Sequence, residues 1–237
     1  FEEGDVLVLN DSKVFPCRLV TQRKSGGRQE ILLIREVPSE ENSDTHKWRV
    51  LVNAAKKVHA GDVFEFDQGN LKLTILDEQG AERLVNLECS GDLYEVLDRV
   101  AGMPLPPYMQ RESDQKDKNT YQTVYAQNIG SVAAPTAGFH FTDEILNKLK
   151  AKGVKVVHVT LHVGPGTFLP VRHDDVTKHE MHEEFFTLSQ QTCFEINEAK
   201  KAGRKVFAVG TTSTRVLESV AQSKFFIEPQ TGSTKLF

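Results

Sequence analysis

Histidine and glutamate side chains are concentrated in one short run, which could carry proton transfer. Residues 179–184 read His-Glu-Met-His-Glu-Glu. Histidine titrates near neutral pH, and a neighbouring carboxylate can orient the imidazole or raise its pKa. If this run is extended, His182 and Glu184 share one face of the strand. We therefore predict that His182 and Glu184 act together in general acid–base chemistry.

The same region allows an alternative, which is a divalent metal site. The spacing of its histidines does not match the HExxH zinc motif, and the chain contains no CxxC pair. The alternative is a metal-dependent barrel enzyme, in which the ion would be held by His158, His162, His179 and His182. We favour a site without metal.

A strand that turns directly into a helix predicts an anion site. Residues 206–209 are apolar, Gly210 permits a tight turn, and Thr211, Thr212 and Ser213 follow, with Arg215 close behind. The N-terminus of a helix has unpaired N–H groups and a partial positive charge, which favour a carboxylate or phosphate. Capping of the helix by one hydroxyl would explain the same residues without a ligand.

Two other segments are rich in small residues that let a ligand approach the backbone. Residues 160–168 end a predicted strand at His162 and continue through Gly164, Gly166, Thr167 and Phe168. Residues 130–142 include Thr136, Gly138 and His140 and lead into a helix. Taken singly, the first is more often a structural turn and the second a site of tight packing between layers.

The elements that must position these residues change in character near residue 90. Before it, short apolar runs separated by glycine turns predict strands at 6–9, 29–37, 48–52, 63–66, 71–76 and 83–87. Strands at such spacing favour a small barrel, because closure removes exposed edges.

Beyond residue 90 the apolar residues follow helical spacing and then alternate between helix and strand. Helices are predicted at 93–100, 142–152, 190–202 and 212–221, and strands at 154–161 and 205–209. The polar run 113–120 is predicted as a mobile surface loop. The predicted fold is α/β, with a mainly parallel sheet, flanking helices and an inserted small β-barrel. The barrel domain is assigned to 10–100, and the α/β catalytic domain to 1–9 and 101–237.

The composition of the chain argues against several classes of function. The chain has 237 residues and a net charge of −4, which argues against a general nucleic-acid binder. Three widely separated cysteines predict no disulfide framework and a reducing, cytoplasmic location. No apolar run is long enough to span a membrane. A first residue other than Met and an apolar C-terminal end lead us to expect a fragment.

Basic groups could still give local RNA contacts, although such runs are usually solvated surface. They are Arg18, Arg23, Lys24 and Arg28, then Lys56, Lys57 and His59, and finally Lys200, Lys201, Arg204 and Lys205. A non-catalytic RNA-binding module built on the barrel is a second alternative. It leaves the anion site and the clustered histidines unexplained.

Taken together, four blocks resemble the S-adenosylmethionine:tRNA ribosyltransferase-isomerase family in order and spacing. They are residues 131–141, 160–171, 181–184 and 209–219, and shorter matches lie at 10–18, 103–108 and 121–125. Ser12 and Lys13 stand where the family usually has Thr and Arg, and Phe139 stands where Leu is usual. The match weakens after Ser219.

The resemblance implies an α/β domain with an inserted β-barrel, and it implies a reaction. The ribosyl part of S-adenosylmethionine moves to 7-aminomethyl-7-deazaguanine in the tRNA anticodon loop and rearranges to the epoxycyclopentane of epoxyqueuosine. Adenine and methionine are released. We expect S-adenosylmethionine and tRNA as the only partners, no metal or other cofactor, no membrane association and a monomer.

The implied chemistry also suggests roles for residues. The sulfonium acidifies the ribose 5′ hydrogens, so we predict His182 or His140 as the base, with Glu184 orienting it. The methionine carboxylate would dock at the helix N-terminus beside Arg215. Tyr108, Tyr121 or Phe168 would stack on adenine or face the sulfonium. The full set of predicted substrate-binding residues is Asn10, Asp11, Arg18, Tyr108, Tyr121, Thr136, Gly138, His162, Gly164, Gly166, Thr167, Phe168, Gly210, Thr211, Thr212, Ser213 and Arg215.

Overall fold

The computed structural model describes residues 1–23, 25–38, 45–168, 182–221 and 226–236. Its strands are β1 (Val6–Asn10), β2 (Ser12–Val14), β3 (Arg18–Gln22), β4 (Arg28–Val37), β5 (Thr45–Val52), β6 (Val63–Phe66), β7 (Leu71–Gln79), β8 (Glu82–Cys89), β9 (Asn128–Ser131), β10 (Lys155–His162), β11 (Glu184–Leu188), β12 (Val206–Ala208) and β13 (Gln230–Thr234). Its α-helices are α1 (Leu93–Val100), α2 (Asp117–Thr120), α3 (Asp143–Ala151), α4 (Gln190–Lys201) and α5 (Gly210–Val220).

Two units make up the chain. The first consists of Phe1–Val14 and Asn119–Phe237, and the second consists of Phe15–Lys118. The barrel domain predicted at 10–100 falls mostly within the second unit. Whether the predicted boundaries are also the limits of independently folding domains stays a prediction.

A five-stranded sheet forms the centre of the first unit, in the order β12-β1-β10-β11-β13. Strand β1 pairs in parallel with β10 and β12, whereas β11 pairs antiparallel with both β10 and β13. The sheet is therefore mixed, and the prediction of a mainly parallel sheet is wrong. The error arose because β11 and β13 were not predicted. Strand β13 reads Gln-Thr-Gly-Ser-Thr, and apolar patterning cannot reveal a strand without apolar residues.

The carboxyl ends of the three parallel strands lie at one edge of this sheet. Val8 in β1 is opposite Ala208 in β12, and Asn10 is opposite Val159 in β10. Strand β11 runs the other way, so it begins at this edge, and its Phe185 is opposite His162. Side chains that end or follow these strands therefore meet at the edge where ligands usually bind in α/β sheets. We call it the carboxyl edge.

Apolar cores cover both faces of the sheet. Val6 and Val8 belong to a core that includes buried residues of α4 and α5. Leu7 and Leu9 belong to another, which includes Leu146 of α3. Because neighbouring strands pair with both its edges and cores cover both its faces, β1 is apolar almost throughout, as is typical of a central strand in a parallel arrangement.

The helices of the structure confirm the predictions made from apolar spacing. Helices α1, α3, α4 and α5 begin and end within two residues of the predicted limits. The side chains of Asp92, Thr142 and Ser189 accept hydrogen bonds from backbone N–H groups of α1, α3 and α4, respectively, as N-caps do. Among the described helices, none combines the length and the apolar composition needed to cross a membrane.

The second unit is built on a six-stranded antiparallel sheet in the order β3-β4-β5-β8-β7-β6. Its edge strands β3 and β6 lie close to each other, so the sheet is nearly closed. Alternate residues such as Ile31, Leu33, Leu71 and Leu73 are buried inside, together with Trp48. The predicted small barrel is confirmed in this nearly closed form. The predicted strand at 6–9 belongs to the first unit instead, and β3, which was not predicted, completes the six.

An ion pair orders the segment that was predicted as a mobile loop. The two carboxylate oxygens of Asp117 accept hydrogen bonds from Arg111 Nη1 and Nη2 at 2.6 and 2.7 Å. One of them also accepts the N–H of Asp114 at 2.8 Å. Asp117 is 4% exposed and begins α2, so the prediction of a loop throughout 113–120 is wrong. The polar composition of this segment gave no sign that Asp117 is buried and accepts three hydrogen bonds.

Candidate functional site

An open pocket lies at the carboxyl edge of the parallel strands in the first unit. It encloses about 500 Å³, including its mouth. Its lining comes from three stretches of chain, namely the turn after β10, the start of β11 and the start of α5. The lining residues are Val163, Gly166, Thr167, His182, Glu184, Thr211, Thr212 and Arg215. Three stretches that were each ambiguous in the sequence therefore meet at one pocket.

A buried ion pair lines this pocket. Glu184, the first residue of β11, is 4% exposed, and its Oε2 pairs with Nη1 of Arg215 in α5. Its Oε1 accepts the backbone N–H of Gly164 at 2.9 Å. A carboxylate can be buried only when such charged and N–H groups replace its water. The pair connects β11, the turn after β10 and α5.

The N-terminus of α5 is open to the pocket. The N-cap residue is Val209, which makes no side-chain cap hydrogen bond. The hydroxyl oxygens of Thr212 and Ser213 are buried, and no described group is hydrogen-bonded to either of them. Helix capping therefore does not account for these hydroxyls. The first N–H groups of α5 and the side chain of Arg215 are available to a ligand.

Gly210 and Gly166 have no side chain, and this lets a neighbouring residue pack directly against the backbone of each. Gly210 has a φ of +75°, and a Cβ there would lie 2.9 Å from the Cβ of Ala137. Residues 136–140 are thus packed directly against the start of α5. At Gly166, a Cβ would lie 2.5 Å from Cδ2 of His182. The imidazole of His182 therefore rests on the backbone of the turn Pro165–Phe168, which forms a 3-10 helix.

The histidines predicted as bases differ in position. His182 is exposed and lines the pocket, next to Glu184. His140 is exposed at the end of the 3-10 helix Thr136–His140 and does not line the pocket. In the part of the chain that is described, no hydrogen bond joins His182 to Glu184, whose oxygens bind Gly164 and Arg215 instead. The contact expected from an orienting role of Glu184 is therefore not seen.

The metal alternative depended partly on a residue outside the described ranges. His179 lies there, so its surroundings are not described. Among the described residues, no group of three or more histidine, cysteine, aspartate or glutamate side chains is arranged to hold a metal ion.

Asn10 and Asp11, both predicted to bind substrate, connect the ends of β1 and β10. The Asn10 amide donates from Nδ2 to the carbonyl of Leu161 at 3.1 Å, and its Oδ1 accepts the N–H of Leu161 at 3.0 Å and that of Ser12 at 3.1 Å. The Asp11 carboxylate accepts the Thr160 hydroxyl at 2.7 Å. These bonds commit the Asn10 side chain to the framework.

Asp11 also influences a group of titratable side chains on β10 and in the loop before β9. Burial lowers the pKa of His158 and of His162, and the negative charge of Asp11 opposes both shifts. Burial, helped by the same charge, raises the pKa of Tyr125 to about 12. Nδ1 of His162 is buried without a hydrogen-bond partner among the described residues. Neutral rings are therefore favoured on this face of β10.

The other predicted residues of the first unit differ in exposure and in contacts. Tyr121 is buried, and its ring meets that of Phe139 edge to face with centroids 6.1 Å apart. The hydroxyl of Tyr125 lies against the backbone of Gly138, where a Cβ would collide with it. Thr136 is exposed and Phe168 is half-buried.

Two predicted substrate contacts belong to the second unit. Arg18 pairs with Glu30 at 3.2 Å, and its Nη2 donates to the carbonyl of Leu105 at 3.2 Å. Tyr108 is 77% exposed in the 3-10 helix Pro107–Met109. Arg18 thus has a structural function within its own unit, whereas the Tyr108 ring is open to solvent.

Sequence reasoning missed Val163 and Tyr125, and it named His158 only as a ligand of the alternative metal site. Val163 lines the pocket, and Tyr125 with His158 forms part of the titratable group on β10. Val163 lay inside the segment 160–168, which had already been singled out. Nothing in the spacing of Tyr125 and His158 indicated that their rings would lie 5.8 Å apart.

Fold and pocket together define a class of protein. It is a two-unit α/β protein whose carboxyl-edge pocket is lined by the start of a helix, a paired arginine and a histidine. The chain belongs to the queuosine biosynthesis protein family, since the model of that family matches residues 1–237. The family resemblance recognised from the sequence blocks is confirmed.

Curated relatives carry one shared name. The chain is 47% identical over 238 residues to the S-adenosylmethionine:tRNA ribosyltransferase-isomerase of Caldanaerobacter subterraneus subsp. tengcongensis, which covers 100% of this chain and 67% of that protein. It is 44% identical over 237 residues to the protein of the same name from Syntrophotalea carbinolica, covering 100% and 68%. The chain thus spans about two thirds of the length of these relatives.

A solved structure is also similar in sequence. The S-adenosylmethionine tRNA ribosyltransferase of Thermotoga maritima is 27% identical to this chain, with a TM-score of 0.37. The match covers 100% of this chain and 62% of that one.

Proposed function

We propose that this protein is an S-adenosylmethionine-dependent tRNA ribosyltransferase-isomerase. It transfers the ribosyl part of S-adenosylmethionine to 7-aminomethyl-7-deazaguanine in tRNA and rearranges it, giving epoxyqueuosine, adenine and methionine. Membership of the queuosine biosynthesis family and the shared name of its relatives support this reaction. The structural observation that carries it is the pocket where the open N-terminus of α5, Arg215 and His182 face one another.

The pocket suits the amino-acid end of S-adenosylmethionine. Its carboxylate would accept hydrogen bonds from the first N–H groups of α5 and from Arg215, whose charge would strengthen them. The buried hydroxyl of Thr212, which also lines the pocket, would add a donor at the same place. Thr211 and Thr167 stand at the exposed part of the lining. This arrangement would leave the sulfonium and ribose toward His182.

His182 is the better candidate for the base that removes a ribose 5′ proton. A general base must come within hydrogen-bond reach of that proton, and His182 lines the pocket whereas His140 does not. Its support by Gly166 holds the ring at a defined place. Phe168, on the same turn as Gly166, is an aromatic group that could face the sulfonium.

The nucleic-acid partner would be the anticodon loop of tRNA. A base that reacts must leave the stack of the loop, and such bases are held by stacking and by hydrogen bonds to their edges. Tyr108, which is exposed in the second unit, is a candidate for stacking. We further propose that the protein acts in the cytoplasm as a monomer, and needs no metal.

The test is an incubation of the full-length protein with S-adenosylmethionine and tRNA that bears 7-aminomethyl-7-deazaguanine. Mass spectrometry of the digested nucleosides and an assay of free adenine follow the reaction. We expect adenine release matched by the mass of epoxyqueuosine, with and without a chelator. Binding of tRNA with neither product would overturn the proposal in favour of a binding module. Loss of activity on chelation would overturn the proposal of a metal-free site.

A further inference from the structure

We infer that Glu184 binds the α-ammonium group of the amino-acid end of the substrate, while Arg215 and the N-terminus of α5 bind its carboxylate. The buried pair would then recognise a zwitterionic amino acid as a whole. This inference rests on the proposed function, because it assigns the methionine end of S-adenosylmethionine to the same pocket. It replaces the predicted role of Glu184 as a group that orients His182.

Both members of the pair keep hydrogen-bonding capacity for a ligand. A carboxylate has about four lone-pair positions, and Glu184 uses two of them, on Gly164 and Arg215. A guanidinium has five N–H groups, and only Nη1 of Arg215 has a hydrogen bond among the described contacts. Both side chains contribute to the lining of the pocket, where a ligand could use these remaining positions.

The charges of Glu184 and Arg215 indicate which kind of ligand fits the pocket. Glu184 and Arg215 together contribute no net charge to the pocket, so a phosphate would meet a buried carboxylate beside the arginine. A zwitterion presents one group to each of them and leaves no charge unpaired. The burial of Glu184, which is 4% exposed, makes its attraction for a cation stronger than in water. An amino-acid end therefore fits this pocket better than a phosphate does.

The geometry of the pair is held from outside the pocket. The N–H of Gly164 is hydrogen-bonded to Oε1 of Glu184 at 2.9 Å, and the backbone of Glu184 is paired with Thr234 of β13. Ligand binding would thus need no rearrangement of the carboxylate. Such preorganisation reduces the entropic cost of binding and is expected of a recognition group.

The first test changes the ligand and leaves the protein intact. Binding of S-adenosylhomocysteine to the full-length protein is compared by calorimetry with binding of its analogue in which hydrogen replaces the α-amino group. The inference predicts about 10-fold to 100-fold weaker binding of the analogue, the size expected for a charge-assisted hydrogen bond in a buried site. Equal affinities would overturn it.

The second test compares Glu184→Gln with Glu183→Gln. Glu183 is the preceding residue, is exposed and does not line the pocket, so it is a matched control. The Glu184→Gln variant should bind S-adenosylhomocysteine about 10-fold more weakly than wild type, or weaker still. The affinity of the same variant for the deaminated analogue and for 5′-methylthioadenosine should stay within about 2-fold of wild type. Glu183→Gln should change none of the three affinities.

Each outcome separates the inference from the proposed function. Equal weakening of all ligands by Glu184→Gln would indicate a purely structural pair and would overturn the inference. If the variant does not fold, the comparison of ligands on the wild-type protein still decides. A wild-type protein that releases adenine but binds the deaminated analogue as tightly as the amino acid would refute only the inference. A wild-type protein that makes no product would refute the proposed function.

Discussion

Replacement of Gly166 by alanine tests whether the position of His182 matters for the reaction. The backbone of Gly166 is not in the left-handed region, so alanine can adopt its conformation. Its added Cβ, however, would lie 2.5 Å from Cδ2 and 2.8 Å from Cγ of His182. One of the two must move. The imidazole is exposed, so its displacement costs little packing.

The structure gives the size of this displacement. Ordinary van der Waals contact begins at 3.4 Å, so the ring must retreat by about 1 Å. A misplacement of about 1 Å in a catalytic arrangement can reduce the rate about 100-fold. The free energy of unfolding should change by less than about 1 kcal/mol, because the site is at the surface and no buried contact is lost.

The assay is release of adenine by the full-length protein at saturating S-adenosylmethionine and tRNA, together with thermal unfolding. Gly232→Ala is the control, because a Cβ there has 3.6 Å to its nearest neighbours. We expect kcat to fall about 100-fold in Gly166→Ala and to stay near wild type in Gly232→Ala. A kcat within about 3-fold of wild type in Gly166→Ala, with the ring displaced, would refute the assignment of His182 as the base.

Three further predictions concern the base, a buried carboxylate and a helix start. His182→Ala should lower turnover at least about 100-fold and His140→Ala should lower it less than about 10-fold; turnover within about 10-fold of wild type in both would contradict a histidine base at either position. Asp117→Asn should destabilise the protein by about 1–3 kcal/mol in urea unfolding at pH 7. Arg111 lowers the pKa of Asp117 in the folded protein. The stabilisation by the Asp117 carboxylate should therefore be complete above the pKa of the unfolded state and be lost as pH falls through the folded pKa. A stability difference between variant and wild type that persists at pH 2 would argue against this role of the carboxylate. Gly210→Ala should cost about 1–2 kcal/mol because its φ is +75°; an unchanged melting temperature would show that the turn is not strained.

The sequence predicted those elements whose apolar residues repeat over several turns or strands. Helix α1 matched its predicted limits because the apolar spacing, the Asp92 cap and the break at Ala101 all agree. Strand β13 was not predicted because it contains no apolar residue, and β11 was not predicted because it follows a polar run that drew attention for its chemistry. The sheet was therefore expected to be mainly parallel, although its strands at one side are antiparallel.

The sequence predicted which segments form the site, but it did not predict which side chains pair within it. The turn after β10 and the start of α5 were each singled out, and both lie at the edge where the parallel strands end. Glu184 was matched with His182 because they are two residues apart in the chain. In the fold its charged partner is Arg215, 31 residues further on. Only the register of β11 against β10 and the angle of α5 decide that pairing, and neither leaves a local signal.

Asn10 has a consequence for how the first unit can vary. The side-chain amide of Asn10 donates to the carbonyl of Leu161 and accepts its N–H. It thus makes the two hydrogen bonds that a further peptide group of β1 would otherwise make with β10. The backbone can therefore leave the sheet at Asp11 without exposing polar groups of β10 to an apolar interior. An aspartate at this position could accept but not donate, so a substitution of nearly equal size would leave a carbonyl unbonded.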